Sequence, residues 1–138
     1  MSHTEKEHGA DEVHFLRIWL LPATACLQLK YFTHDFTNKE KADKWAKVVV
    51  PMWADSVKDT REGEGPPPVQ ITLTLYALIF ATGKALSKTL EGKKAYVHVT
   101  QTSGYNEQQG TGARVKFSAK GGDEMELREG DRAYVDVM

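Results

Sequence analysis

The segment Ala95-Tyr96-Val97-His98-Val99-Thr100 decides the fold class, because it alternates apolar side chains with larger or more polar ones. Alternation with a period of two places Tyr96 and His98 on one face of an extended chain and the small apolar residues on the other. Gly92-Lys93 marks a turn before this segment, and residues 114–118 are predicted to return as its hairpin partner. The pattern indicates a β-strand.

Short apolar segments separated by glycine-containing turns continue this pattern on both sides. Strands are predicted in residues 69–80, 85–90, 125–127 and 133–137, with turns at Gly83-Lys84, Gly121-Gly122-Asp123 and Gly130-Asp131. Several short strands at such spacing are typical of an all-β sandwich or barrel. The predicted fold class is therefore mainly β.

The first part of the chain adds two strands and one helix to this prediction. Residues 13–21 are apolar on both faces, which favours a strand covered on both sides, and residues 27–32 form a second, shorter strand. Thr37-Asn38-Lys39-Glu40 has the sequence of a capping box, in which Thr37 and Glu40 satisfy each other's backbone N–H groups. We expect one short α-helix from Thr37 to about Ala46.

Composition limits the classes of protein to consider. The 138 residues suit one domain, which we place at 13–138 after a flexible segment at 1–12. Hydrophobic residues make up 41%, which suffices for a core, and the net charge of −1 provides no general attraction for nucleic acid or an anionic membrane. The single cysteine, Cys26, excludes an intrachain disulfide and a cysteine-based zinc site.

Targeting signals are also lacking in the sequence. The first eight residues are polar and mixed in charge, unlike a signal peptide, and the longest apolar run, residues 75–81, is too short to cross a bilayer. The expected location is the cytoplasm, with the nucleus as the alternative.

Five stretches carry a resemblance to a known family. They are Val13-His14-Phe15-Leu16-Arg17-Ile18-Trp19-Leu20-Leu21-Pro22, Asp35-Phe36-Thr37-Asn38-Lys39-Glu40-Lys41, Leu75-Tyr76-Ala77, Gly92-Lys93-Lys94-Ala95-Tyr96-Val97-His98-Val99, and Leu127-Arg128-Glu129-Gly130-Asp131. In this order, across residues 3–137, the chain resembles the pirin-like (quercetinase-like) cupins. The resemblance covers the strand between that family's two barrels and most of the second barrel. It implies a cupin-like antiparallel β-barrel or sandwich.

The resemblance also has implications for assembly and for metal. The family would add two strands after residue 137, so we expect an open sheet edge and a homodimer in which Trp19 is an interface anchor. His3-Thr4-Glu5 resembles the His-x-Glu half of the family's metal motif, whose other half is a preceding His-x-His strand. Because His3 and Glu5 supply only two ligands, we expect no metal, no cofactor and no catalytic residue.

The remaining candidate residues have simpler interpretations. For His98, a hydrogen-bonded structural role is favoured over a ligand-binding one. His14 is interpreted as core or interface and His8 and His34 as loop-flanking, while Cys26 and Ser103 lack an activating base. The other predictions concern core or interface anchors at Trp19, Trp45 and Trp53, and a solvated basic face formed by Lys84, Lys88, Lys93 and Lys94.

Two hypotheses about function follow, with a third left open. The first is a pirin-like single cupin that acts without catalysis and binds a protein or a small molecule. The alternative is a metal-dependent dioxygenase of the quercetinase kind, acting on a flavonol-like substrate, or a subunit of one. The third is a degenerate copy with a structural role only. The first predicts a homodimer with a protein or small-molecule partner, and neither nucleic acid nor membrane as a partner.

Overall fold

The protein is mainly β, as the sequence predicted. The structure, a computed structural model, describes residues 15–100, 113–118 and 122–136. Strands make up 36% of it and helix 4%, which confirms an all-β fold with one short helix. The chain divides into two compact units, one of them Arg17–Lys88 and the other formed by Met1–Leu16 with Thr89–Met138. That residues 13–138 form a single domain stays a prediction.

The unit Arg17–Lys88 contains five short strands. These are β1 (Thr33–Asp35), β2 (Ala46–Pro51), β3 (Glu62–Glu64), β4 (Pro68–Val69) and β5 (Leu75–Ala77). Strand β2 lies between β5, its antiparallel neighbour, and β4, its parallel neighbour, while β1 pairs with β3 in parallel. The run of three valines in β2 suits a half-buried pleated surface, and Val50, only 1% exposed, is the centre of the core.

The one helix in the described residues, α1 (Asn38–Lys41), begins at the predicted capping box but ends earlier than predicted. The backbone N–H of Thr37 donates to Glu40 Oε2 at 2.7 Å, and the Glu40 N–H donates to Thr37 Oγ1 at 3.3 Å. The prediction that the helix reaches Ala46 is wrong. Asp43 has a φ of +48°, and its N–H donates to the carbonyl of Ile79 at 2.8 Å. This bond to a distant segment replaces the next helical turn.

The described part of the second unit contains two antiparallel strand pairs. Strand β6 (Lys94–His98) pairs with β9 (Arg132–Asp136), and β7 (Arg114–Ser118) pairs with β8 (Glu124–Arg128). The predicted hairpin between residues 95–100 and 114–118 is therefore wrong. A tight turn at Gly130, where φ is +84°, separates β8 from β9, and the Val99 N–H donates to the Asp131 carbonyl at 3.0 Å. This bond extends the β6–β9 ladder at its turn end.

Other predicted strands are missing or shorter. Residues 15–22, 27–32 and 85–90 are not strands, because none of them pairs with another described segment. Val13 and His14 lie outside the described residues. Within the described ranges the sheets have two or three strands, and no closed barrel is present. The prediction of antiparallel neighbours is wrong for β1–β3 and β2–β4, because both of these pairs are parallel.

Candidate functional site

One face of the β6–β9 pair collects large polar and aromatic side chains. Three of the five residue pairs that oppose each other across the two strands lie on this face. Small apolar residues between them, such as Val97 and the buried Ala133, occupy the other face. We call the first surface the aromatic face, formed by Lys94, Tyr96, His98, Arg132, Tyr134 and Asp136.

Two tyrosines lie at the centre of the aromatic face. Tyr96 is directly opposite Tyr134, with ring centroids 5.0 Å apart and ring planes inclined by 60°. Tyr96 is 50% exposed and Tyr134 is 81% exposed. Tyrosine combines a large apolar ring with a hydroxyl that can form hydrogen bonds, and an exposed pair of rings can stack against a planar group. The strand register brings both rings together, so no loop rearrangement is needed.

The charges on the aromatic face are arranged along its length. At one end, Lys94 Nζ lies 3.8 Å from Asp136 Oδ2, and both side chains are exposed. At the other end, Arg132 is exposed and forms no ion pair with any other residue in the described part of the chain. Because Lys94 and Asp136 neutralise each other, the guanidinium of Arg132 provides the net charge of the face.

His98 has the hydrogen-bonded role that the sequence analysis favoured. Its Nδ1 lies 3.1 Å from the backbone carbonyl oxygen of Asp131, in the turn before β9. This contact joins the end of β6 to the start of β9 beside Arg132. His98 therefore contributes to the architecture of the aromatic face and holds the turn next to the free guanidinium.

A second candidate lies in the unit Arg17–Lys88. An open cleft of about 230 Å³ is lined by Lys30, Tyr31, Phe32, Asp59 and Arg61. Lys30 Nζ lies 3.0 and 2.8 Å from the two carboxylate oxygens of Asp59, so these two charges already satisfy each other. Arg61, the remaining charged residue of the cleft, forms no ion pair with another described residue, so the cleft and the aromatic face each have one unmatched guanidinium. The aromatic face differs in that its two exposed rings are held in register on a strand ladder.

The histidine nearest to this cleft has a structural role. His34, in β1, places Nδ1 2.7 Å from the Gly65 carbonyl oxygen and Nε2 2.7 Å from the Thr60 carbonyl oxygen. Both ring nitrogens are therefore occupied by the segment that surrounds β3. The sequence placed His34 beside a loop, and the structure shows that it holds that loop.

The three tryptophans have different surroundings. The Trp45 indole N–H donates to the Ser87 carbonyl at 3.2 Å, and its ring meets Tyr76 edge-on at 6.3 Å. Trp19 and Trp53 are both exposed. Trp45 is also exposed, at 38%. Of the two roles predicted for tryptophan, a core position is therefore wrong for all three, and the interface role stays a prediction.

Other predicted site residues are scattered or outside the described ranges. His3, Glu5, His8, His14 and Ser103 lie outside the described residues. Cys26 is exposed. Of the four lysines predicted to form a solvated basic face, Lys84, Lys93 and Lys94 are exposed. The fourth, Lys88, places Nζ 4.2 Å from the centre of the Tyr76 ring.

Two properties of the described residues concern metal ions and membranes. No group of three or more His, Cys, Asp or Glu side chains there is placed to hold a metal ion. No helix in the same ranges has the length and apolar character needed to span a membrane.

Both strands of the aromatic face were predicted from the sequence, but their pairing was not. The sequence analysis placed Tyr96 and His98 on a common side but did not single out Arg132 or Tyr134. The available signal was the segment Arg132-Ala133-Tyr134-Val135-Asp136, in which small apolar residues alternate with larger charged or aromatic ones. Such alternation shows that Arg132 and Tyr134 lie on the same side of a strand, but it does not identify the partner strand.

Comparisons with known proteins add no relative: no family model, no curated protein and no solved structure matches the chain.

Proposed function

We propose that the protein is a non-enzymatic binding module of the pirin-like cupin kind, and that its aromatic face holds a small molecule with a planar part. One observation carries the proposal, namely the exposed Tyr96–Tyr134 pair at the centre of a regular two-stranded ladder. The cupin assignment is supported by the five ordered stretches described above. Binding sites of this kind combine aromatic area with few polar groups that fix orientation.

The energetics favour a stacked ligand. A ring laid on Tyr96 and Tyr134 removes apolar surface from water, and stacking on one aromatic side chain contributes about 1–3 kcal/mol in known stacking sites. Tyrosine has few rotatable bonds, so little conformational entropy is lost when its ring is fixed by a ligand. The ladder on which both residues lie further limits their movement.

Non-catalytic binding is supported by what the aromatic face contains. Its single imidazole, His98, engages a backbone carbonyl through Nδ1, and its one carboxylate, Asp136, lies beside Lys94. A metal-dependent dioxygenase would need three or four protein ligands around one ion. Purified full-length protein tests this part. Stoichiometric iron, copper, nickel or manganese that disappears in a His3→Ala variant would contradict the proposal and support the dioxygenase alternative.

Binding itself is tested with a neutral planar probe, 2-naphthylmethanol, titrated by NMR or calorimetry. We expect saturable binding that Tyr134→Ala and Tyr96→Ala each weaken by about tenfold. Trp53→Ala is the matched control, because Trp53 is also an exposed aromatic residue but lies in the unit Arg17–Lys88, outside both candidate sites. Circular dichroism of each variant shows whether the fold is retained. Binding that Trp53→Ala weakens as much as the two face variants do, or that neither Tyr96→Ala nor Tyr134→Ala weakens, would overturn the proposal.

We propose that the module is also a homodimer. Six of the seven residues at 15–21 are exposed hydrophobic residues, and one of them, Trp19, is 77% exposed. Extended apolar surface of this kind marks interaction sites, and a second copy is the commonest partner.

Sedimentation at micromolar concentration tests the dimer with two exposed tryptophans. We expect twice the chain mass for the wild type and for Trp53→Ala, and dissociation for Trp19→Ala, since truncating an anchor costs at least about 2 kcal/mol. A wild-type mass of one chain at every concentration would exclude the dimer.

We further propose the cytoplasm as the compartment. The exposed, unpaired thiol of Cys26 supports it, because reducing compartments keep such thiols unpaired. Localisation of the tagged full-length protein by microscopy tests this, and a signal confined to another compartment would contradict it.

A further inference from the structure

We infer that the ligand of the aromatic face is a small planar anion, such as an aromatic carboxylate, and that Arg132 selects it. This inference rests on the proposed function, since it specifies the ligand that the Tyr96–Tyr134 pair holds. Arg132 is the one charged residue of the aromatic face that forms no ion pair with another described residue.

The position of Arg132 suits a substituent on a stacked ring. Arg132 precedes Tyr134 by two residues on β9, so both side chains project from the same side, about 6.6 Å apart along the strand. A ring that lies on the tyrosines therefore brings an attached carboxylate within reach of the long arginine side chain. Arginine presents a planar set of N–H donors that matches a carboxylate with two parallel hydrogen bonds.

The neighbouring polar groups are already engaged. Lys94 lies beside Asp136, and the carbonyl oxygen of Asp131 contacts His98. The carboxylate of Asp131 accepts a hydrogen bond from the Arg128 N–H at 2.8 Å, which turns it toward the preceding strand. An incoming anion therefore meets one available cation, Arg132.

The charge distribution also sets the orientation of the ligand. Asp136 lies at the opposite end of β9 from Arg132, with Tyr134 between them. A negative substituent is attracted to the Arg132 end, whereas the other end, where Lys94 and Asp136 form an ion pair, has no net charge to attract it. The face thus distinguishes the two ends of an elongated anion.

A small anion fits these charges better than a nucleic acid strand. Strands of DNA or RNA are held by several Lys and Arg side chains that neutralise successive phosphates. The aromatic face has one net cation, and the whole chain has a net charge of −1. A single guanidinium is sufficient for one carboxylate but not for a row of phosphates.

The experiment compares two probes that differ in charge, 2-naphthoate and the neutral 2-naphthylmethanol. We expect the wild type to bind 2-naphthoate at least about tenfold more tightly, the effect of a hydrogen bond to a charged group. Arg132→Gln should reduce 2-naphthoate binding to the level of the alcohol. Arg132→Lys should restore part of the preference. Arg128→Gln is the matched control and should change neither affinity.

Each outcome separates this inference from the proposed function. Equal wild-type affinity for both probes, with both lost in Tyr134→Ala, would leave the binding module standing and refute selection by Arg132. A preference for 2-naphthoate that survives in a folded Arg132→Gln variant would do the same. Should Arg132→Gln not fold, the comparison of the two probes in the wild type remains, and equal affinities would refute the inference. A short oligothymidylate that binds more tightly than 2-naphthoate, with a steep loss in salt, would assign the face to nucleic acid and overturn the inference.

Discussion

Tyr96 and Tyr134 face each other across β6 and β9, with ring centroids 5.0 Å apart, although 38 positions separate them in the sequence. The pairing of β6 with β9 brings the rings together, and the turn at Gly130 directs the chain from β8 into β9. The centre of the candidate site is therefore a product of topology, since neither strand alone carries both rings. Substitution of either ring changes the ladder as well as the site.

The first prediction concerns the coupling between the two rings. A double-mutant cycle with Tyr96→Ala, Tyr134→Ala and the double variant should give a coupling of about 0.5–1 kcal/mol in the free energy of unfolding, because cross-strand aromatic pairs stabilise a sheet by this amount. Chemical denaturation followed by tyrosine fluorescence or circular dichroism measures it. Additive single effects would show that the rings do not interact in solution.

The sequence predicted those elements whose signal is local. The capping box at Thr37 and Glu40 forms as expected, and the alternation in residues 95–100 and 133–137 identifies strands β6 and β9. Alternation shows which side a residue occupies but contains no information about the partner strand. The predicted hairpin between residues 95–100 and 114–118 was wrong for this reason.

Apolar content alone misled the prediction for residues 15–21. That segment has the composition of a buried strand, yet its side chains are exposed and no described strand pairs with it. Strand formation requires a ladder partner, which propensity cannot supply. At the aromatic face, Arg132 was missed for a related reason, because its importance depends on the pairing of its neighbours.

The second prediction concerns the capping box under acid conditions. The hydrogen bonds from the Thr37 hydroxyl and backbone N–H lower the pKa of Glu40 below its ordinary value, and nearby lysines add to the effect. A lowered pKa in the folded state means that the ionised carboxylate stabilises the fold above the unfolded-state pKa. This contribution is lost as the pH falls through the folded-state value.

An NMR titration of the Glu40 carboxyl group measures this shift directly. We expect its midpoint to lie below that of an unstructured glutamate, and to move back toward the ordinary value in Thr37→Ala. A titration of Glu40 that is the same in both proteins would show that the capping box does not form in solution.

The third prediction concerns the core of the unit Arg17–Lys88. Val50→Ala should lower the free energy of unfolding by about 1.5–3 kcal/mol, because it removes fully buried methyl groups and leaves a cavity. Leu29→Ala, at a residue that is 76% exposed, is the control and should change it by less than about 0.5 kcal/mol. Urea unfolding followed by tryptophan fluorescence reports on this unit, which contains Trp19, Trp45 and Trp53. Equal effects of the two substitutions would contradict the placement of Val50 in the core.

The last prediction compares two glycines with the same backbone requirement and different surroundings. Gly65 has a φ of +85° and Gly83 a φ of +79°, a region that costs other residues about 1–2 kcal/mol. A Cβ atom on Gly65 would approach Lys58 Cγ to 3.1 Å, whereas one on Gly83 would meet nothing within 4 Å. Both substitutions to alanine are therefore expected to destabilise the protein, and Gly65→Ala by the larger amount.

The surroundings of Gly65 explain why the difference should be measurable. Its carbonyl oxygen contacts His34 Nδ1 at 2.7 Å, and the neighbouring Pro66 carbonyl accepts from the Lys58 N–H at 3.0 Å. To relieve the contact with a new Cβ, the Lys58 stem or the backbone must move, and movement of the backbone lengthens both hydrogen bonds. Urea unfolding followed by tryptophan fluorescence measures both variants in the same unit. If Gly83→Ala were the more destabilising of the two, the close approach of Lys58 to Gly65 would not exist in solution.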